Sequence, residues 1–262
     1  MREQLSEERS ERLAPPRSPV DGESVPRPKP RPAIGLSRRL LSEGLGTALL
    51  LGTVVGSGIM GQKLSLGNDA IALLANSLAT GAALVALLLT LGPISGAHLN
   101  PAVTVAMATR RELPWGNVPA YVGVQILGAV LGVWAAHVMF DLPVLQASQH
   151  ARTGIPQWVS EGIATFGLLG VIFGCASARP TAVPFAVGAY ITAAYWFTSS
   201  TSFANPAVTI ARSFTNTFAG IRPVDAPGFI VAQAVGALLA TVLFGWLLSP
   251  ASTPSPSVPE EP

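Results

Sequence analysis

The chain has 262 residues, 49% of them apolar and only 11% charged, with a formal net charge of +2, a mean hydropathy of +0.47 and a single cysteine, Cys175. Nine of the 16 Lys and Arg and six of the 14 Asp and Glu lie within residues 1–39, so the long remainder is almost uncharged. Soluble domains average about 25% charged residues, and this shortage excludes an ordinary soluble enzyme, a disulfide scaffold and a basic nucleic-acid binder, leaving a polytopic protein whose first partner is the lipid bilayer.

Residues 1–37 are rich in Pro, Arg, Glu and Ser and have no apolar periodicity. Such a stretch cannot offset its ordering entropy and reads as a disordered cytoplasmic tail. It has no apolar central stretch and is therefore not a signal peptide. A helix that crosses a bilayer needs about 20 mainly apolar residues. Six stretches qualify: Leu40–Gln62, Ala70–Leu91, Val118–Phe140, Trp158–Ala178, Ala182–Ser200 and Pro227–Leu248. All are rich in Gly and Ala, and Gly128 and Gly132 form a small-xxx-small pair at which another helix can approach closely. Two further stretches, Leu99–Thr109 and Asn205–Phe214, are apolar but too short to cross. A short helix at membrane depth survives only when it is buried in protein or lines a water-filled cavity. Residues 250–262 form a second Pro/Ser tail. Placing the N-terminus in the cytoplasm puts twelve Lys and Arg inside against four outside, so both termini are expected on the cytoplasmic side of a plasma-membrane protein.

The body, residues 38–249, repeats itself. In the first half (38–140), Ser42-Glu43-Gly44 with Thr47, Asn100-Pro101-Ala102-Val103-Thr104, and Gln125 with Gly128-Ala129 follow in order. In the second half (156–249), Ser160-Glu161-Gly162 with Thr165, Asn205-Pro206-Ala207-Val208-Thr209, and Gln233 with Gly236-Ala237 follow in the same order. Each half has three crossings, an odd number, so the second half enters the membrane from the other side. The two short helices then enter from opposite faces, and their Asn-Pro-Ala starts meet near the middle.

Each Asn-Pro-Ala is a well-made helix start. Asn caps orphan backbone N–H groups, Pro fits the first helical position, and Ala allows close approach. At mid-membrane, two helix N-termini, each carrying about half a positive charge, repel cations from a shared lumen. The side-chain amides of Asn100 and Asn205 are free to donate hydrogen bonds to a passing oxygen.

With these paired motifs, Ser95-Gly96-Ala97-His98 ahead of the first, and a glutamate in crossings one and four, the chain from Leu40 to Leu248 resembles the aquaporin, or major intrinsic protein, family. The resemblance implies an all-α membrane protein of six transmembrane helices plus two re-entrant half-helices. It also implies a homotetramer with one pore per subunit and passive flow of water or small neutral solutes. An Arg normally follows the second motif in that family, where this chain has Val208. The other three filter positions of the resemblance fall on Thr80, Ser202 and Tyr195. A Thr-Ser-Val-Tyr filter has no fixed charge and is wider than one containing Arg. Glycerol, urea or uncharged metalloid hydroxides such as arsenous acid are the expected solutes, and a mainly water-selective pore is the alternative.

Arg212 lies one helical turn beyond Val208, about 6 Å further along the axis, and is either a substitute for the missing Arg or a residue facing the vestibule or headgroups. Glu43 and Glu161 either bind a coupling proton, making the protein a secondary transporter, or accept hydrogen bonds from the irregular backbone leading into each short helix; their symmetry favours the second role. His98 lines a mouth of the pore or bonds locally. His137 and His150 are expected near the outer surface, and Cys175 reads as a small apolar residue. No cofactor, metal cluster, nucleophile triad or phosphate loop is expected.

Overall fold

A computed structural model describes residues 34–249, and the tail segments 1–33 and 250–262 lie outside it. Eight α-helices follow in order: α1 Leu36–Leu64, α2 Asp69–Ser95, α3 Pro101–Thr109, α4 Val118–Met139, α5 Ile155–Ala178, α6 Val183–Phe197, α7 Pro206–Arg212 and α8 Ala226–Leu247. Single 3-10 turns at Trp115–Asn117 and Pro180–Ala182 lead into α4 and α6. There is no β-strand among the described residues.

Five helices, α1, α2, α4, α5 and α8, are long and apolar enough to cross a membrane. The stretch Ala182–Ser200 yields a shorter helix than its apolar length predicts, with α6 covering 15 residues. Proline sets its start, and at its end Thr198 turns extended while its hydroxyl donates back to the Ala194 carbonyl at 2.6 Å. Fifteen residues rise only about 22 Å, and the 3-10 turn at Pro180–Ala182 lengthens the segment at its start. In the opposite sense, α1 starts at Leu36, inside the stretch expected to be disordered, and carries Arg38 and Arg39 in its first turn.

Packing follows the repeat. α1 lies against α2 and α4, and α5 against α6 and α8. Each short helix packs against the last crossing of the other half, α3 on α8 and α7 on α4, which interlocks the halves. Glycine makes the closest crossings. A side chain at Gly128 would run into the Gly44 carbonyl, one at Gly132 into that of Ala48, and one at Gly236 into that of Gly162. α2 and α6 meet in the same way at Gly81 and Gly188. The outward faces carry exposed Leu45, Leu78, Leu131, Ile163, Val235 and Leu239. On so many helices these form an apolar belt suited to lipid.

Candidate functional site

Between α2 and α3, and again between α6 and α7, the chain forms an irregular arm that carries an Asn-Pro-Ala triplet into the middle of the bundle. The arms share an unusual backbone. Gly96, Ala97 and Leu99 take φ values of 92°, 45° and 50°, and Thr201, Ser202 and Ala204 take 61°, 49° and 47°. Left-handed backbone at non-glycine residues costs roughly 1–3 kcal/mol each and persists only where the surroundings impose it.

Buried carboxylates impose it. Glu43 accepts the backbone N–H groups of His98 at 2.9 Å and Leu99 at 2.7 Å. Glu161 accepts those of Phe203 at 2.8 Å and Ala204 at 2.9 Å. The Gln125 amide then bridges Glu43 and Thr104, both at 2.9 Å. Gln233 bridges Glu161 at 2.6 Å and Thr209 at 2.9 Å. Each carboxylate is fully buried and takes three charge-assisted hydrogen bonds, the condition under which a charge is tolerated at this depth.

The two motifs hold each other. Asn100 caps α3 through the Ala102 N–H at 2.9 Å, and its Nδ2 donates across to the Ala204 carbonyl at 2.8 Å. Asn205 caps α7 through the N–H groups of Ala207 and Val208 at 3.0 and 3.3 Å, and its Nδ2 donates to the Leu99 carbonyl at 2.8 Å. This changes one sequence-based expectation. Each amide spends one N–H on the opposite arm, so only its second N–H is left without a protein acceptor among the described residues. Pro101 and Pro206 occupy the first helical positions, followed by buried Ala102 and Ala207.

Both asparagines line a single cavity of about 170 Å³. Thr80 from α2, Tyr195 from α6, Ser202 from the second arm and Val208 from α7 line it too. The Thr80 and Tyr195 hydroxyls are 3.2 Å apart. The Ser202 hydroxyl is buried without a protein partner. Val103, the counterpart of Val208, lies on the same wall.

The cavity wall also includes Arg212. This residue is fully buried, which excludes a place among the headgroups. Helical side chains lean back toward the N-terminus of their helix, and its guanidinium returns over the preceding turn to lie 3.4 Å from the centre of the Phe203 ring. A second arginine missed by sequence reasoning, Arg152, lies 5.2 Å from the same ring centre. It comes from the loop before α5, and no local pattern marks it. Its guanidinium donates to the carbonyls of Gly220 at 2.8 Å and Ser200 at 3.2 Å. Burial pulls the Arg152 pKa down to about 10, against the raising effects of Glu161 and Tyr195, so it stays charged at neutral pH. Phe203 was also missed, although it stands two residues before its motif as His98 does before the first.

His98 both lines the cavity and bonds locally, with Nδ1 3.2 Å from the Thr104 hydroxyl. His137, near the end of α4, is fully buried, with Nδ1 3.0 Å from the Val144 carbonyl and Nε2 2.8 Å from the Thr215 hydroxyl. His150 is exposed, and Cys175 is half-buried away from the motifs. Among the described residues, no cluster of His, Cys, Asp or Glu is arranged to hold a metal.

The sequence pattern of the family described as Major intrinsic protein matches residues 32–198. The chain is 56% identical to aquaglyceroporin AqpS of Rhizobium meliloti strain 1021, over 82% of this chain and 92% of that protein. It is 36% identical to aquaporin NIP3-1 of Oryza sativa subsp. japonica, over 55% of this chain and 46% of that protein. The aquaglyceroporin structure from Plasmodium falciparum superposes with a TM-score of 0.62 over 80% of this chain and 96% of that one; at 21% identity, the likeness is one of fold. Two inverted halves, joined through Asn100 and Asn205 around one cavity, are the work of a passive membrane channel for water and small solutes rather than an enzyme, and the chain belongs to the major intrinsic protein, or aquaporin, family.

Proposed function

We propose that this channel passes uncharged solutes larger than water, with glycerol, urea and metalloid hydroxides such as arsenous acid as the candidate class. The observation that carries the reading is Val208 in the cavity wall directly after the second motif. A valine offers no charge and no donor, and with Thr80, Ser202 and Tyr195 it makes a filter of hydroxyls and hydrocarbon. Such a wall suits polyols and neutral hydroxides, whose oxygens exchange hydrogen bonds with hydroxyls while their remaining surface needs no fixed charge. The name of the relative from Rhizobium meliloti, an aquaglyceroporin, supports the glycerol end of this range.

Asn100 and Asn205 are the midpoint donors in this reading, and the two half-helix N-termini are the barrier to cations. Glu43 and Glu161 hold the arms and carry no coupling proton. The subunits assemble as homotetramers in the plasma membrane with both termini in the cytoplasm, as the distribution of Lys and Arg favours.

A second reading, a mainly water-selective pore, is favoured by the Thr80–Tyr195 contact, which narrows the lumen between α2 and α6. Replacing Val208 with Arg in proteoliposomes separates the two. The wide-filter reading expects glycerol and urea flux to fall about tenfold or more, one such step being about 1.4 kcal/mol, while water flux persists. Unchanged glycerol and urea flux removes Val208 from the filter.

A further inference from the structure

Val208 brings no charge to the cavity wall, and a cationic side chain from the end of the same helix, that of Arg212, lines the same cavity. Arg212 is fully buried, lies on the cavity wall and forms no ion pair among the described residues. A guanidinium has five N–H donors and no acceptor. That of Arg212 places Nε on the Ala219 carbonyl, and its other four N–H have no protein acceptor among the described residues. Its flat face rests on Phe203, two residues before Asn205 and next to Ser202, whose hydroxyl is also buried and unpartnered. A buried charge without a counter-ion is strongly disfavoured unless water or solute reaches it. Among the described residues, Arg212 lines the central cavity, from which water or solute can reach it.

Arg152 stands in contrast. All three of its guanidinium nitrogens reach main-chain carbonyls, those of Gly220, Ser200 and Phe218. It props the loop beside the Phe203 ring, and three of its five N–H donors are taken by the main chain.

Resting on the channel reading above, we infer that Arg212 is a specificity-determining residue of the conduit. It reaches back one turn from the end of α7, offers free N–H donors to the oxygens of passing solutes and sets the charge barrier against cations that Val208 cannot set. The Phe203 ring fixes its plane. Because the charge arrives from the side on a long stem, the barrier is kept while the space beside Val208 stays open, which is how a channel combines a wide passage with cation exclusion.

The test uses the full chain in proteoliposomes, comparing wild type with Arg212→Gln, Arg212→Lys and Arg152→Gln. Glycerol flux, methylammonium uptake and proton leak are read on each. The inference expects Arg212→Gln to raise the methylammonium-to-glycerol flux ratio about tenfold or more, since one elementary charge facing a lumen acts over several ångströms. Arg152→Gln lowers thermal stability and leaves that ratio in place. A wild-type ratio in Arg212→Gln overturns the inference and leaves the channel reading standing. If Arg212→Gln does not assemble, Arg212→Lys decides: it is expected to keep cations out but to change the glycerol-to-urea ratio, because the planar fork on Phe203 is lost, and an unchanged ratio overturns the inference. A wild type that conducts glycerol no faster than bare lipid fails the channel reading itself.

Discussion

The two arms that carry the Asn-Pro-Ala triplets are one device built twice, and they differ in a single layer. Carboxylate, bridging glutamine, left-handed turn and capping asparagine correspond residue for residue, from Glu43, Gln125 and Asn100 to Glu161, Gln233 and Asn205. Even the ring two residues before each motif finds an aromatic partner: His98 lies 5.6 Å from Tyr121, tilted, and Phe203 5.1 Å from Phe229, edge-on, measured between ring centres. The difference is what surrounds those rings. In the first arm, His98 bonds to Thr104 and Arg39 covers Tyr121 at 5.4 Å. In the second arm, Phe203 is apolar and has two buried arginines near its ring, Arg212 at 3.4 Å and Arg152 at 5.2 Å from the centre. The frame that shapes the backbone is held constant between the halves, while the groups that touch the lumen are free to diverge.

If the frame is common, damage to it should be symmetric. Replacing Glu43 or Glu161 with Ala strands two backbone N–H groups and a glutamine amide, each orphaned group costing about 1–3 kcal/mol. Both variants are therefore expected to lose most of their folded, detergent-stable protein, by similar amounts, in a thermal unfolding assay read by size-exclusion chromatography. A variant of one arm that is stable while the other collapses breaks the equivalence. A smaller and equally symmetric effect is expected at the helix crossings. Gly128→Val and Gly236→Val each push a side chain into a facing carbonyl, that of Gly44 or Gly162. Overpacking of this kind costs about 1–3 kcal/mol and should lower the unfolding temperature of both to a similar degree.

The smallest effect belongs to the asymmetric layer. Asp225 accepts the Arg152 backbone N–H at 2.9 Å and pairs with Arg222 at 2.9 Å, tying down the loop that carries Arg152. Burial alone would raise its pKa, but hydrogen bonds from Arg222 and from the Arg152 backbone outweigh this and hold it below 3.8. A depressed native pKa stabilises the fold above the unfolded value and loses that contribution as pH falls through the native one. Wild type should therefore lose part of its thermal stability on acidification below about pH 4, and Asp225→Asn should start lower and show less of this acid step. An identical acid step in both separates the loop from this carboxylate.

Much of this plan was legible in the sequence. Two copies of Asn-Pro-Ala, each matched to a glutamate two crossings earlier and a glutamine after it, fix the inverted arrangement, because the carboxylate and amide are needed wherever irregular backbone enters a membrane. The crossing glycines were legible only in part, through Gly128 and Gly132. The apolar stretch overestimated α6, since it was carried through the Thr/Ser run to Ser200 whereas the chain leaves the helix at Thr198. The sequence left the role of Arg212 open, because residue spacing gives the axial position of a Cα and not the return of a long side chain along its helix onto Phe203. Arg152 was invisible, because a loop residue distant in sequence reaches the site only through the tertiary fold.

The central claim is one passive, continuous conduit running past Asn100 and Asn205. Its most direct measurement is stopped-flow light scattering of proteoliposomes holding the full chain, challenged with glycerol, urea and arsenous acid, with and without an imposed proton gradient. The account predicts permeation well above that of bare lipid, at rates that do not respond to the gradient. Uptake that appears only under a proton gradient, or no permeation of any uncharged solute, would contradict it.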